Sequence, residues 1–163
     1  MLNRKEVTKN LIEKLEIYIN PKNDPRIYTA KEVTFDYLTE HPIRVDCMRF
    51  KPINNSIGGI EKGLVYCFEI KSCKEDFTSG HGLNFIGDYN YLVLDFELFN
   101  EIKNQIPYDV GVYAVFDNDQ LKIVKKAKLR QRQKSVSEIL LMMFRSSNRE
   151  LLKQKRVIQN EGE

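Results

Sequence analysis

Apolar residues fall into two rhythms along this chain. Over 4–19, Val7, Leu11, Leu15 and Tyr18 recur at helical spacing, with Ile12 and Ile19 widening the stripe, so one face of a helix is apolar. Asn3, with Glu6 three residues later, matches an N-cap and its return partner, and P-K-N-D-P (21–25) ends the helix. The rhythm then becomes one of two. Residues 30–38 alternate loosely, with Glu32, Thr34 and Asp36 on one side. I-R-V-D-C-M-R-F (43–50) puts Arg44, Asp46 and Met48 on one face and Val45, Cys47 and Arg49 on the other. L-V-Y-C-F-E-I-K-S-C (64–73) is a third strand, aromatic and β-branched. In it Glu69 and Lys71 share a side with Val65 and Cys67, opposite Tyr66, Phe68 and Ile70. The linker 51–63, with two Asn and three Gly, joins 43–50 to 64–71 as an antiparallel pair. Such a pairing can bring Asp46 near Glu69, although the loop leaves the register open.

Residues 74–90 carry three Gly and little periodicity and read as a loop with at most a helical turn. A strand follows over Tyr89–Asp95, then a short helix from Phe96 to Ile106 stopped by Pro107, with Leu98, Phe99 and Ile102 inward. G-V-Y-A-V-F (111–116) and L-K-I-V-K-K-A (121–127) flank D-N-D-Q and form a hairpin. Ser135 and Glu138 make a capping box ahead of a helix over about 136–154, with Val136, Ile139, Leu140, Met143 and Phe144 among its apolar positions. The order α-β-β-β-loop-β-α-β-β-α predicts an α/β fold on the α+β border, a single domain with a central mixed sheet flanked by helices. It spans 1–158, with 159–163 as a frayed tail.

At 163 residues, 42% hydrophobic and 30% charged, the chain is globular and large enough to bury a core. No apolar run reaches the roughly 18–20 residues a bilayer span requires, and the N-terminus lacks a signal peptide's apolar region. Both predict a cytoplasmic protein with no membrane partner. Three cysteines (Cys47, Cys67, Cys73), two of them within strands, read as reduced thiols. With His41 and His81 as the only histidines and no C-x-x-C, a Cys/His zinc site is disfavoured. A net charge of +3 says little; its distribution says more. From Lys122 to Lys134 the chain carries Lys122, Lys125, Lys126, Lys128, Arg130, Arg132 and Lys134 and no acid. That run suits a phosphate backbone, with a lysine-protected strand edge as the ordinary alternative.

The candidate chemistry lies in Glu69-Ile70-Lys71. An E-x-K tripeptide is weak by itself, since roughly one is expected by chance in a chain of this length. The second copy, Glu101-Ile102-Lys103, falls on a predicted helix, where i and i+2 do not face each other. Glu69 has a better context: a strand, a neighbouring strand bearing Asp46, and a polar loop directly after it. Asp46, Glu69 and the Ile70 carbonyl could together hold one Mg²⁺, an oxygen-seeking ion that keeps several waters. Lys71 would then orient the attacking water or offset transition-state charge. A surface ion pair is the ordinary alternative. In the following loop His81, Asn84, Tyr89 and Asn90 are candidate substrate contacts, against a purely loop-shaping role.

Asp46 followed by Glu69-Ile70-Lys71 resembles the D…(D/E)-x-K pattern of the PD-(D/E)XK nuclease superfamily. R-V-D (44–46), E-I-K-S with D-F (76–77), and G-H-G-L-N-F-I-G-D-Y-N-Y (80–91) with I-P (106–107), G-V (111–112) and V-K-K-A-K (124–128) are similar to the MmcB-like DNA-repair endonucleases and their small phage and prophage relatives. The similarity covers roughly 30–130. It implies a restriction-endonuclease-like core, a catalytic set of Asp46, Glu69 and Lys71, and metal ligation by Asp46, Glu69 and the Ile70 carbonyl. An upstream acid is also implied, Glu32 matching best and Glu6 being the rival. Ser72 follows Lys71 as in that branch, either to meet a phosphate or to cap the strand end. Val45 stands where many members have Pro. The implied activity is Mg²⁺-dependent DNA hydrolysis, with Mn²⁺ as a substitute, in repair, recombination or phage DNA processing. RNA as substrate, a homodimer, and a non-catalytic nucleic-acid-binding or protein-interaction role on the same scaffold stay open.

Overall fold

The computed structural model describes residues 3–161. Helix α1 (Arg4–Ile19) starts where the Asn3 side chain accepts the Glu6 N–H at 3.1 Å and the Glu6 carboxylate accepts the Asn3 N–H at 2.8 Å. Strands β1 (Tyr28–Phe35), β2 (Ile43–Lys51), β3 (Leu64–Ile70), β4 (Tyr89–Asp95), β5 (Gly111–Val115) and β6 (Leu121–Lys125) form one six-stranded sheet in sequence order. The β3–β4 and β4–β5 pairs are parallel and the other three antiparallel, so the sheet is mixed. The parallel pairs need crossovers. Short α3 (Lys74–Thr78) lies in the first, and α4 (Phe96–Ile102) in the second. The linker predicted as irregular contains a one-turn helix, α2 (Ile57–Glu61), capped by the Ser56 hydroxyl on the Gly59 N–H.

Helices cover both faces of this single domain. Leu11, Leu15 and Ile19 of α1 lie against Cys47, Phe68, Ile70, Tyr91, Val93 and Tyr113 on one face. On the other, Val136, Ile139 and Met143 of α5 (Val136–Glu161) cover Val65 and Cys67, while Leu98 and Ile102 of α4 cover Leu92, Leu94, Val112 and Ala114. The alternation read along β3 holds: Val65 and Cys67 face α5, whereas Phe68 and Ile70 face α1. Glu69 shares the Val65 side and falls at the seam between the α5 and α4 clusters. Helix α5 runs beyond the predicted end near 154 and past the start of the predicted frayed tail, because no Gly or Pro interrupts 136–161. Residues 162–163 of that tail lie outside the described residues. Among the described residues, no helix is long and apolar enough to cross a membrane.

The acid-free run 122–134 binds this protein to itself. Lys125 Nζ donates to the Pro107 carbonyl at 2.6 Å, Lys128 Nζ sits 3.4 Å above the Tyr108 ring, and Arg130 pairs with Asp109 at 3.4 Å. Lys122 lies 5.6 Å from the Phe116 ring centroid, and Lys134 binds Asp36 and Glu138. Arg132 is the most committed. Its guanidinium donates to the carbonyls of Glu61 (2.7 Å) and Gly63 (2.8 Å) and to Asp88 Oδ2 (3.0 Å), and that same oxygen accepts the Val65 N–H at 2.8 Å. The nucleic-acid reading of Arg132 is therefore corrected: its donors are spent fastening the 126–134 strap to the start of β3. Lys126 is exposed, with no such partner among the described residues.

Arg132→Ala leaves the Asp88 carboxylate largely buried without its cation, and is expected to cost on the order of 2–3 kcal/mol in chemical denaturation. Lys126→Ala is expected to change stability by less than about 0.5 kcal/mol.

Candidate active site

The site exists because β2 and β3 part. Their ladder runs from Lys51↔Leu64 to Cys47↔Phe68, and pairing stops there. The next β3 donor facing β2, the Ile70 N–H, is taken at 2.8 Å by Asp46 Oδ2 instead of by backbone. The parting coincides with a change of phase in both outer strands. In β1, buried positions fall at Ala30, Val33 and Phe35, and Glu32 between them has φ 50°. In β2, Val45 joins Met48 and Phe50 in the core under α5, whereas Cys47 faces α1. The expected division, with Val45 and Cys47 on one face and Asp46 and Met48 on the other, is thus corrected. Strict alternation fails at the left-handed turn of the backbone at Glu32, which rotates both strands together.

Asp46, Glu69, Ile70 and Lys71 all line one open cleft of about 550 Å³ at this fork. Glu69 and Lys71 are nearly inaccessible, at 2% and 3% exposure. The loop after α3 shuts them in. Lys71 Nζ donates to the His81 carbonyl at 2.5 Å, and the Lys71 N–H donates to the Val93 carbonyl at 2.9 Å. Gly82, at φ +75°, lies so close that a Cβ there would stand 2.7 Å from Glu69 Oε2 and 3.5 Å from Lys71 Nζ. Arg4 and Thr8 of α1, Pro42, Arg44, Asp76 and Asn84 complete the rim.

Burial, and after it the neighbouring Asp46 carboxylate, push the Glu69 pKa up to about 10, with Lys71 and Arg44 offsetting this in part. With no divalent cation beside it, Glu69 is thus held toward its protonated form. Its Oε1 is buried without a hydrogen-bond partner, a costly state for a carboxyl oxygen. A divalent cation between the two carboxylates would relieve both the repulsion and the orphaned oxygen. The residues present fit such an ion as a sparse donor set, two carboxylates and the Ile70 carbonyl. Among the described residues no group of three or more His, Cys, Asp or Glu is assembled as a metal site. Such a sparse set suits Mg²⁺, which retains several waters, better than an ion needing a full protein cage.

The remaining predicted residues separate clearly. His81 contributes its carbonyl to Lys71, its side chain is exposed, and Asn84 lines the cleft. Asn90 is corrected: it is buried in β4, its amide exchanging hydrogen bonds with the Gly87 N–H (3.0 Å) and carbonyl (2.9 Å), which shapes the turn before the strand. Ser72 N and Oγ lie 3.4 and 3.5 Å from Asp76 Oδ2, so Ser72 serves the strand end. Glu6 is spent on the α1 cap. Glu32 lines a neighbouring groove between α1 and β1–β2, where it does not join Glu69 and Lys71. None of Lys122, Lys125, Lys126, Lys128, Arg130 and Arg132 lines the cleft. The contributors that sequence reasoning did not single out are Arg4 and Asp76. They pair at 2.6 Å and tie the first turn of α1 to α3 across the cleft mouth. Asp76 falls within the quoted D-F pair, where it had no role assigned; Arg4 is far away in sequence and left no local signal.

No family model matches this chain, and no curated protein matches it. Among solved structures, it is similar to the SPO1766 protein of unknown function from Silicibacter pomeroyi. The TM-score is 0.60 at 17% identity, over 99% of this chain and 96% of that one. At that identity the likeness is one of fold.

Gly82→Ala is expected to unlatch the loop from Glu69, costing about 1–3 kcal/mol and raising amide exchange across 80–85. Gly80 shares the left-handed backbone (φ +73°) but has open space at its Cβ position, so Gly80→Ala should cost only about 1 kcal/mol and leave exchange at 82–85 unchanged. Between the ordinary carboxyl value of 4.5 and about 10, the native state holds the Glu69 proton and the unfolded chain does not. This contribution is whole below the lower value and declines as pH rises, by up to roughly 1.4 kcal/mol per unit. Unfolding in chelator from pH 5 to 9 should show that decline, and Glu69→Gln should flatten it.

Proposed function

We propose that this protein is a metal-dependent nuclease of the PD-(D/E)XK kind, hydrolysing phosphodiester bonds in DNA with Mg²⁺, for which Mn²⁺ substitutes. The observation that carries the proposal is the buried Glu69 carboxyl facing Asp46 at the β2–β3 fork, with an unpartnered oxygen and a buried lysine beside it. A buried, strongly shifted acid in an open polar cleft is the kind of group that functional sites contain. An ordinary surface ion pair would be neither buried nor orphaned. Three unpaired thiols, two of them buried, suit a reducing cytoplasm.

The chain's own groups divide the work. Asp46 and Glu69 would hold the ion, with the Ile70 carbonyl as a third donor. Once bound, the ion supplies charge neutralisation at the phosphoryl oxygens and acidifies a water. Lys71, oriented by the His81 carbonyl, would hold the attacking water or offset charge gathering on the phosphate. The water oxygen would bond to phosphorus as its proton passes to solvent, the bond to the leaving sugar oxygen would break, and solvent would return a proton to that oxygen. Arg44, exposed at the rim, would meet a flanking phosphate, and Arg4 would join it on exchanging its Asp76 partner. They would take the role first considered for the 122–134 run.

With Mg²⁺ or Mn²⁺ the purified protein is expected to nick plasmid or cut single-stranded DNA. Asp46→Asn, Glu69→Gln and Lys71→Met should each lower the rate by roughly a hundredfold or more while far-UV circular dichroism stays native. Cleavage that persists in all three variants would overturn the assignment. DNA retention in EDTA without cleavage under any metal, lost on neutralising Lys125, Lys126 and Lys128, would instead identify a binding module.

A further inference from the structure

Helix α5 presents two faces with different roles. Val136, Ile139, Met143 and Ser146 face the sheet, the last through its hydroxyl on the Lys31 carbonyl. Arg149 makes the final bond to β1, onto the Glu32 carbonyl at 2.9 Å. Beyond Glu150 every side chain from 151 to 160 is exposed. An arm of about ten residues with no packing is marginal as a helix in water.

The opposite face carries a second apolar stripe. Leu141, Phe144, Asn148, Leu151, Lys155 and Ile158 follow one another in alternating steps of three and four residues. This is a heptad seam sustained over three repeats. Phe144 and Ile158 are each 70% exposed and Leu141 59%, and no described residue covers them. The seam's flanks are nearly free of charge: Ser147 and Gln154 on one side, Leu152 and Gln159 on the other, with Arg145 already stacked 3.4 Å above the Tyr37 ring. Of the other cations, Arg149, Lys153 and Arg156 lie off the seam, and Lys155 occupies one of its positions.

We infer that α5 pairs with α5 of a second copy of this chain along the seam through Phe144, Leu151 and Ile158. A 3-4 repeat asks for a helix as partner, and flanks nearly free of charge let the same helix serve, with Lys155 the one cation brought to the seam. Asn148, the lone amide amid the apolar positions, is the kind of group that fixes register in paired helices at some cost in stability. Closed two-fold pairs are the commonest assembly of soluble chains. The exposed stripe would cover on the order of 600 Å² per copy, approaching the roughly 800 Å² per partner of a stable interface. Pairing also explains why the arm stays helical to Glu161 without touching its own sheet. The inference goes beyond the nuclease reading and stands whether or not the cleft hydrolyses DNA.

Light scattering after size exclusion, with sedimentation from about 1 to 100 µM, tests it on the full chain. The wild type is expected at twice the 19.2 kDa chain mass. Leu151→Glu with Ile158→Glu should weaken association by roughly a hundredfold or more and leave the thermal transition of the sheet domain in place, since neither side chain touches the core. Asn148→Leu, which folds whether or not the arm is paired, should tighten association or change its stoichiometry. A wild type that stays monomeric throughout, or a dimer indifferent to the double substitution, would overturn the inference. So would a monomer that gains mass only when another protein is added, which would give the seam to that partner.

Discussion

One hydrogen bond decides the geometry of this molecule's centre: the Asp46 carboxylate on the Ile70 N–H. An antiparallel ladder continues unless something takes up its next donor, because a bare buried N–H is costly. Asp46 takes it with a side chain, so β2 and β3 separate without leaving a backbone group unsatisfied. The separation makes a fork, and the fork makes room beside Glu69 in what would otherwise be continuous sheet. The outer strands pay with a non-glycine residue, Glu32, in left-handed backbone, a conformation worth on the order of 1–2 kcal/mol. The same carboxylate that opens the sheet also stands against Glu69.

Packing and electrostatics pull against each other here. The β3 strand is buried along its length, and the apolar clusters under α4 and α5 meet at Glu69. A Leu at that position would suit the core better by every local criterion. The loop over the site answers this tension only in part. His81 gives Lys71 an acceptor, and Gly82 lets backbone approach Glu69, yet Glu69 Oε1 gains nothing. Local rules that fail together at one position, in a structure otherwise consistent, are the pattern expected of a functional site.

Much of this was legible in the chain. The period-3.6 stripes of α1 and α5, the capping pairs at Asn3 and Ser135, and the alternation of Val65, Cys67 and Glu69 in β3 are local signals, and they place those elements correctly. An antiparallel pairing of β2 and β3 also allowed Asp46 to come near Glu69, with the register left open until the ladder from Lys51↔Leu64 to Cys47↔Phe68 fixed it. The change of phase at Glu32 was not legible, because it depends on how two strands twist together and leaves no residue pattern behind. The run 122–134 was legible only in part. Charge along a sequence shows sign, and only tertiary structure shows that Asp88, Asp109 and Asp36, distant in sequence, pair with Arg132, Arg130 and Lys134. Asn90 looked like loop polarity and is a turn brace in β4.

The parallel pairing of β3 with β4 has a consequence for how the molecule comes to be. The two carboxylates sit on β2 and β3, neighbours in an antiparallel pair. The amine is held differently. The Lys71 backbone is fastened to Val93 on β4, and its side chain to His81 in the crossover between them. During synthesis β4 emerges after β3. A nascent or partly folded chain can thus bring Asp46 and Glu69 together before Lys71 has its place. The three groups become a set only when the central strands dock, so any chemistry they carry together would wait until the fold is nearly whole.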